Sequence, residues 1–262
     1  MDGEIITIGG ESKSKESLPK QEQRVIKAYG LEQSEIAARI EGLERGASGI
    51  SVEICPAFPA YHICICSTTP AANSAKRNLE QIEQEIRARL QPFIFAAGNQ
   101  TMADALGERL HEKSLTLAVA ESCTGGLIGH LLTEVPGSSR YFLGGVVVYS
   151  NQAKMDLLQV AQDTIDRHGA VSATTALQMA EGVKGRFQAD IGLAVTGIAG
   201  PGGGTTEKPV GTVHIGLALR DKTYSERYRF QGSRNQIKSN TAMMAMDWVR
   251  RVLNGHPFIP GV

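Results

Sequence analysis

Apolar residues recur along this chain with two periods, and the change of period marks the elements. Over Gln33–Arg45 they fall at Ile36, Ile40 and Leu43, the spacing of one helical face. Ile50–Ile54 alternates as a short strand, and Tyr61–Ser67 alternates again with Tyr61, Ile63 and Ile65 on one side. Ala72–Leu90 returns to helical spacing through Leu79, Ile82, Ile86 and Leu90. A helix, two strands and a second helix make a small α+β module over residues 23–97, after a polar lead or linker over residues 1–22.

Residues 98–262 read differently. Asn99–His111 carries a helical stripe at Met102, Leu106 and Leu110, and Leu115–Ala120 is a strand running into Glu121-Ser122-Cys123-Thr124-Gly125-Gly126 and a helix over Leu127–Leu132. Gly144–Ser150 has the continuous apolar character of a buried strand, and Asn151 is placed to cap the helix that follows. A helix over Ser172–Phe187, a strand over Asp190–Thr196, a hairpin of Val210–Leu219 with Thr223–Phe230, and a long helix over Ser233–Leu253 complete the pattern. Strands alternating with helices and then a hairpin predict an α/β fold, a mixed sheet packed between helices, beside the smaller N-terminal α+β module.

Composition narrows the function classes. Lysine plus arginine equals aspartate plus glutamate at 27 each, so no global field favours nucleic acid or an anionic membrane. Aromatics make up 5%, too few for a stacking platform for single strands. Gly46-Ala47-Ser48-Gly49 has the letters of the GxxG loop of KH domains, but residues 1–95 carry 11 basic and 13 acidic residues, which speaks against RNA. No stretch reaches the ~18 apolar residues of a membrane span, and the start MDGEIITIGG has no basic region followed by an apolar run. Of the four cysteines, Cys64 and Cys66 share one face of a strand as expected core residues; reduced thiols without an export signal predict a cytoplasmic protein. No CxxC or paired-histidine spacing suggests a metal, and His130, His168 and His214 stand isolated.

Three constellations carry candidate chemistry. In Ala120–Gly126, AESCTGG, a hydroxyl or thiol sits at a strand-to-helix junction, beside backbone N–H groups able to stabilise an oxyanion. Ser122 and its neighbour Cys123 are both candidate nucleophiles, with Thr124 and Gly125 supplying the N–H groups. In Tyr149–Lys154, Lys154 occupies the first turn of a helix, the wrong end of the dipole for an ammonium and a place that favours the free amine. Lysine at an ordinary pKa of ~10.4 is a poor base at neutral pH, whereas a lowered one serves as the base of a Ser–Lys pair. The third is Thr196–Thr206, TGIAGPGGGTT, whose glycines Gly197, Gly202, Gly203 and Gly204 open backbone N–H groups to an anion. Arg234, near the start of the last helix, offers a bidentate partner for phosphate.

The order AESCTGG, GGVVVYSNQAK, GAVS, AVTGIAGPGGG, KPVGTVHIGLA closely resembles the C-terminal domain of the CinA family over about Asn99–Leu253. Residues from about Arg24 to Phe95 resemble the KH-like middle module of that family, while its molybdopterin-binding-like first domain has no counterpart here. The resemblance implies an amidohydrolase of bacteria that deamidates nicotinamide mononucleotide (NMN) to nicotinate mononucleotide and ammonia, in NAD recycling. It implies Ser122 as nucleophile, Lys154 as its base and Tyr149 assisting, with no metal or cofactor and a homodimeric assembly. The rival expectation from the same fold is a nucleotide-binding or regulatory module without catalysis.

Overall fold

A computed structural model describes residues 22–43, 49–67 and 73–261; the polar lead and most of the Gly46–Gly49 loop lie outside the described residues. The N-terminal part runs β1 (Gln23–Ala28), α1 (Gln33–Ile40), β2 (Ile50–Ala57), β3 (Ala60–Ser67), α2 (Asn73–Leu90) and β4 (Ile94–Ala97). These strands form an antiparallel sheet in the order β2-β3-β1-β4. The expected two-stranded core is therefore four-stranded. One face of the sheet, with Ile26, Ile63 and Ile65, buries the stripes Ile36–Ile40 of α1 and Leu79–Leu90 of α2. Helix α1 is shorter than its stripe, because Gly42 turns the chain at φ +80°. Cys64 and Cys66 point away from Ile63 and Ile65 and are partly exposed, so they are not core residues.

The larger part follows with α3 (Met102–Glu112), β5 (Leu117–Glu121), α4 (Leu127–Thr133), β6 (Phe142–Val147), α5 (Asn151–Leu158), α6 (Gln162–His168), α7 (Ala173–Phe187), β7 (Ile191–Gly197), β8 (Thr212–Ala218), β9 (Thr223–Arg229) and α8 (Arg234–Leu253). Its five-stranded sheet has the order β6-β5-β7-β8-β9, with β6, β5 and β7 parallel and the last two antiparallel. This is the expected mixed sheet between helices. Leu193, Val195 and Ile215 pack on one side with Leu106 of α3 and Met244 and Trp248 of α8. Ala118, Ala120 and Ala194 pack on the other with Met179, Ala180 and Val183 of α7. Strand β6 is a correction to the sequence reading: it is the edge of the sheet, its residues alternate between half-buried and exposed, and Val147 is half exposed.

The two sheets are held together through α8. Asp247, fully buried, accepts from Arg250 Nε at 2.7 Å and from Arg251 Nε at 2.6 Å. Arg250 spends its remaining N–H groups on the carbonyls of Ile94 (3.2 Å) and Pro92 (2.9 Å), and the Arg251 guanidinium lies 5.0 Å from the Phe93 ring centre. Such a buried pair is favourable only when its other polar atoms are also engaged; the carbonyls preceding β4 and at its start supply that for Arg250, while Arg251 Nη2 finds no partner among the described residues. Among the described residues no helix is long and apolar enough to cross a membrane.

Helix α7 lies directly on the sheet backbone. A Cβ at Gly216 of β8 would sit 2.2 Å from the Ala176 carbonyl oxygen, and one at Gly192 of β7 would sit 2.1 Å from that of Ala180. Gly216→Ala is expected to cost about 3 kcal/mol by forcing α7 off the sheet. Gly185→Ala, on the same helix with open space around the new Cβ, is expected to be neutral or to stabilise by up to about 1 kcal/mol. Paired denaturant titrations check this; equal midpoints for the two variants would remove the close-approach argument.

Candidate active site

The parallel strands β5 and β7 end side by side, and Ser122 prolongs their pairing by one residue through its N–H to the Val195 carbonyl at 3.0 Å. From β5 the chain crosses to β6 on one side and later returns to β7 on the other, so this strand end is a topological switch point, where α/β sheets open a crevice. The segment after Ser122 turns back tightly. Gly125 donates its N–H to the Ser122 carbonyl at 3.2 Å, and Gly125 and Gly126 take φ values of +64° and +97°, which only glycine adopts freely.

The start of α4 is not open, contrary to the sequence expectation. The Glu121 carboxylate, 3% exposed, accepts from the N–H groups of Gly126 (3.0 Å), Ile128 (3.1 Å) and Gly129 (2.8 Å). It fills the helix end from inside the fold, satisfying donors that would otherwise wait for a ligand. Gly125 has also spent its N–H within the turn, and the Thr124 N–H faces the Cys123 thiol. The Thr124 hydroxyl is buried without a partner among the described residues.

Lys154 reaches this turn from α5, whose cap is the Ser150 hydroxyl accepting from Ala153 N–H at 3.0 Å, rather than Asn151. The lysine is 1% exposed. Its Nζ donates to the Val148 carbonyl at 2.8 Å and lies 3.2 Å from Ser122 Oγ. Burial pushes the Lys154 pKa below its ordinary 10.5, with the neighbouring Cys123 acting weakly the other way. Burial also pushes the Cys123 thiol up to about 12, and it stays protonated near neutral pH. The two adjacent candidates thus differ: the hydroxyl faces an amine, and burial keeps the thiol protonated.

A cavity of about 260 Å³ opens beside the pair. Ser122, Cys123, Tyr149, Lys154, Thr196, Gly197, Gly200, Gly202, Gly203 and Arg234 line it, so most of the residues singled out in the sequence meet in one place. Thr124, Gly125 and Gly204 are not in the lining. Tyr149 is 64% exposed at the rim, not at the end of a buried strand, and its hydroxyl accepts from Arg234 Nη2 at 3.1 Å. Arg234 also donates from Nη1 to the Gly200 carbonyl at 2.6 Å, bracing the glycine loop. The Thr196 hydroxyl is already engaged, donating to the Ala170 carbonyl at 2.7 Å. The sequence reading gave no role to Glu121, Ala170 or Val171 and made Asn151 only a helix cap; the GAVS motif was the one available signal for Ala170 and Val171.

Two family models match the chain: one described as the CinA C-terminal domain over residues 99–253, the other as the damage-inducible protein CinA KH domain over residues 23–96. A CinA-like protein of Citrifermentans bemidjiense is 44% identical over 240 residues, covering 91% of this chain and 57% of its own length. One from Geobacter sulfurreducens is 43% identical, covering 87% and 55%. The chain thus spans a little over half the length of these relatives. Among solved structures, the competence/damage inducible protein CihA of Agrobacterium tumefaciens is 42% identical with a TM-score of 0.56, over 59% of this chain and 97% of that one. A CinA superfamily protein of Klebsiella pneumoniae is 31% identical with a TM-score of 0.57, over 60% and 99%. With its larger part matched throughout, the chain belongs to the CinA family.

Proposed function

We propose that residues 98–262 hydrolyse the carboxamide of NMN to nicotinate mononucleotide and ammonia, with Ser122 as nucleophile and Lys154 as its general base. The observation that carries this reading is the buried amine 3.2 Å from the Ser122 hydroxyl. Neutral Lys154 takes the Ser122 proton as Oγ attacks the carboxamide carbon. The ammonium returns its proton to the leaving nitrogen and ammonia departs. Lys154 then deprotonates a water that attacks the acyl ester, releasing the carboxylate and restoring Ser122. Tyr149 and Arg234 at the rim, with Gly202 and Gly203, are suited to the ribose and phosphate. Holding the phosphate there orients the amide at Ser122.

Ammonia release from NMN in the presence of EDTA tests the assignment. Wild type and Cys123→Ala are expected to turn over, while Ser122→Ala and Lys154→Ala fall by about a thousandfold or more. An active Ser122→Ala protein, or an inactive wild type, would sink the reading.

The pH profile supplies a second test. Burial lowers the Lys154 pKa, so the reactive amine gains population as pH rises through a midpoint below 10.5 and is lost by protonation beneath it. The acid limb of kcat/KM is expected at that lowered midpoint; a limb at or above 10.5 would contradict a buried lysine base.

Glu121→Ala leaves three N–H groups without their acceptor, at a cost of about 1–3 kcal/mol for each group left buried and unpaired. A lower Tm is expected, together with a fall in kcat larger than any rise in KM. Unchanged kcat in a folded Glu121→Ala protein would show that the cap does not position Ser122.

A further inference from the structure

Among the described residues seven buried side-chain polar atoms lack a hydrogen-bond partner, and four of them lie on two paired strands: Thr212 Oγ1 and His214 Nδ1 on β8, Ser225 Oγ and Arg227 Nε on β9. Thr212 is fully buried and His214 is 8% exposed. His214 stands directly opposite Thr196 of β7 and Arg227 of β9, so the three form a row on one sheet face. With strands about 4.8 Å apart, that row leads outward from the wall of the catalytic cavity. Buried polar groups are nearly always paired, so Thr212, His214 and Arg227, adjacent on the two strands, mark a place that something fills, while Ser225, opposite Gly216, lies too far along from Thr212 to share it.

The charge of the place says what. Arg227 Nη2 donates to the Glu207 carbonyl at 2.8 Å, and Lys208 Nζ donates to the His168 carbonyl at 2.8 Å. Both cations are held by neutral backbone oxygens, and no ion pair to either is found among the described residues. Burial, with their field added, brings the His214 pKa down to about 4. Each of the three orphan groups there can donate, and Arg227 Nε can do nothing else. A cation is excluded by the field; water would satisfy the donors and leave two positive charges uncompensated.

We propose that β8 and β9 carry an anion site, separate from the Ser122–Lys154 pair, that takes a phosphate-type oxyanion between His214, Arg227 and Lys208 with the Thr212 hydroxyl. The loop over Thr205–Lys208 straps it, and releasing the two backbone contacts of Arg227 and Lys208 admits the ligand. The site does not depend on the deamidase reading. Its ligand is free phosphate or the phosphate of a nucleotide, which share this chemistry.

The test is a titration of the whole chain with inorganic phosphate, following the His214 ring by NMR with histidine labelled, against chloride at equal ionic strength. Phosphate is expected to shift His214 saturably and to raise its midpoint by about one unit, a tenfold gain in proton affinity. Arg227→Gln and Lys208→Gln are each expected to weaken phosphate binding at least tenfold; the partly exposed Lys208 carries the test if the Arg227 variant fails to fold. A parallel titration of Ser122→Ala with NMN separates the sources. Competition with phosphate assigns the site to a nucleotide phosphate, and a shift by phosphate alone assigns it to the free ion. No saturable shift with either ligand, or shifts that the two variants leave unchanged, would overturn the proposal and leave a cluster of waters.

Discussion

A single buried carboxylate organises the centre of this molecule. Glu121 closes β5, the strand on which both crossovers of the parallel sheet turn, and its oxygens hold the first N–H groups of α4. Its own backbone carbonyl accepts from Val148 N–H at 2.8 Å, fixing the chain that leads out of β6. The next carbonyl along that chain, Val148's, receives the Lys154 amine. Ser122 and Lys154 are therefore placed from two sides of one residue, by backbone bonds that leave little freedom to either.

Keeping a lysine in the interior is the second constraint. A buried ammonium without a paired carboxylate is expensive, and the fold resolves this by favouring the free amine. Alanines on β5 and β7 and glycines on β7 and β8 let α7 lie on the sheet with no intervening layer.

Much of this architecture was legible in the sequence, for reasons that also mark the exceptions. Strands β5, β7 and β8 announce themselves because they are buried on both faces and read as mostly apolar runs. Strand β6 has the same letters, but its exposure depends on its place at the edge, which periodicity does not encode. β1 and β4 escaped because one mixes Arg24 and Lys27 with its apolar residues and the other has four residues; α6, QDTIDRH, has too little apolar stripe to register. At the site, the motif order singled out Ser122, Lys154 and the glycine loop. It could not choose between Ser122 and Cys123, since adjacent residues share a motif while facing opposite environments. Glu121 went unread because a carboxylate in a list of letters looks solvated, and only the fold closes a helix over it.

The junction between the two sheets has an evolutionary reading. Arg250 grips the N-terminal part by the carbonyls of Pro92 and Ile94, groups that every amino acid provides. These two bonds constrain the path of the chain and are indifferent to the side chains along it, whereas the Arg251 guanidinium against Phe93 reads one of them. Other residues of this segment can drift without Arg250 losing its two carbonyls.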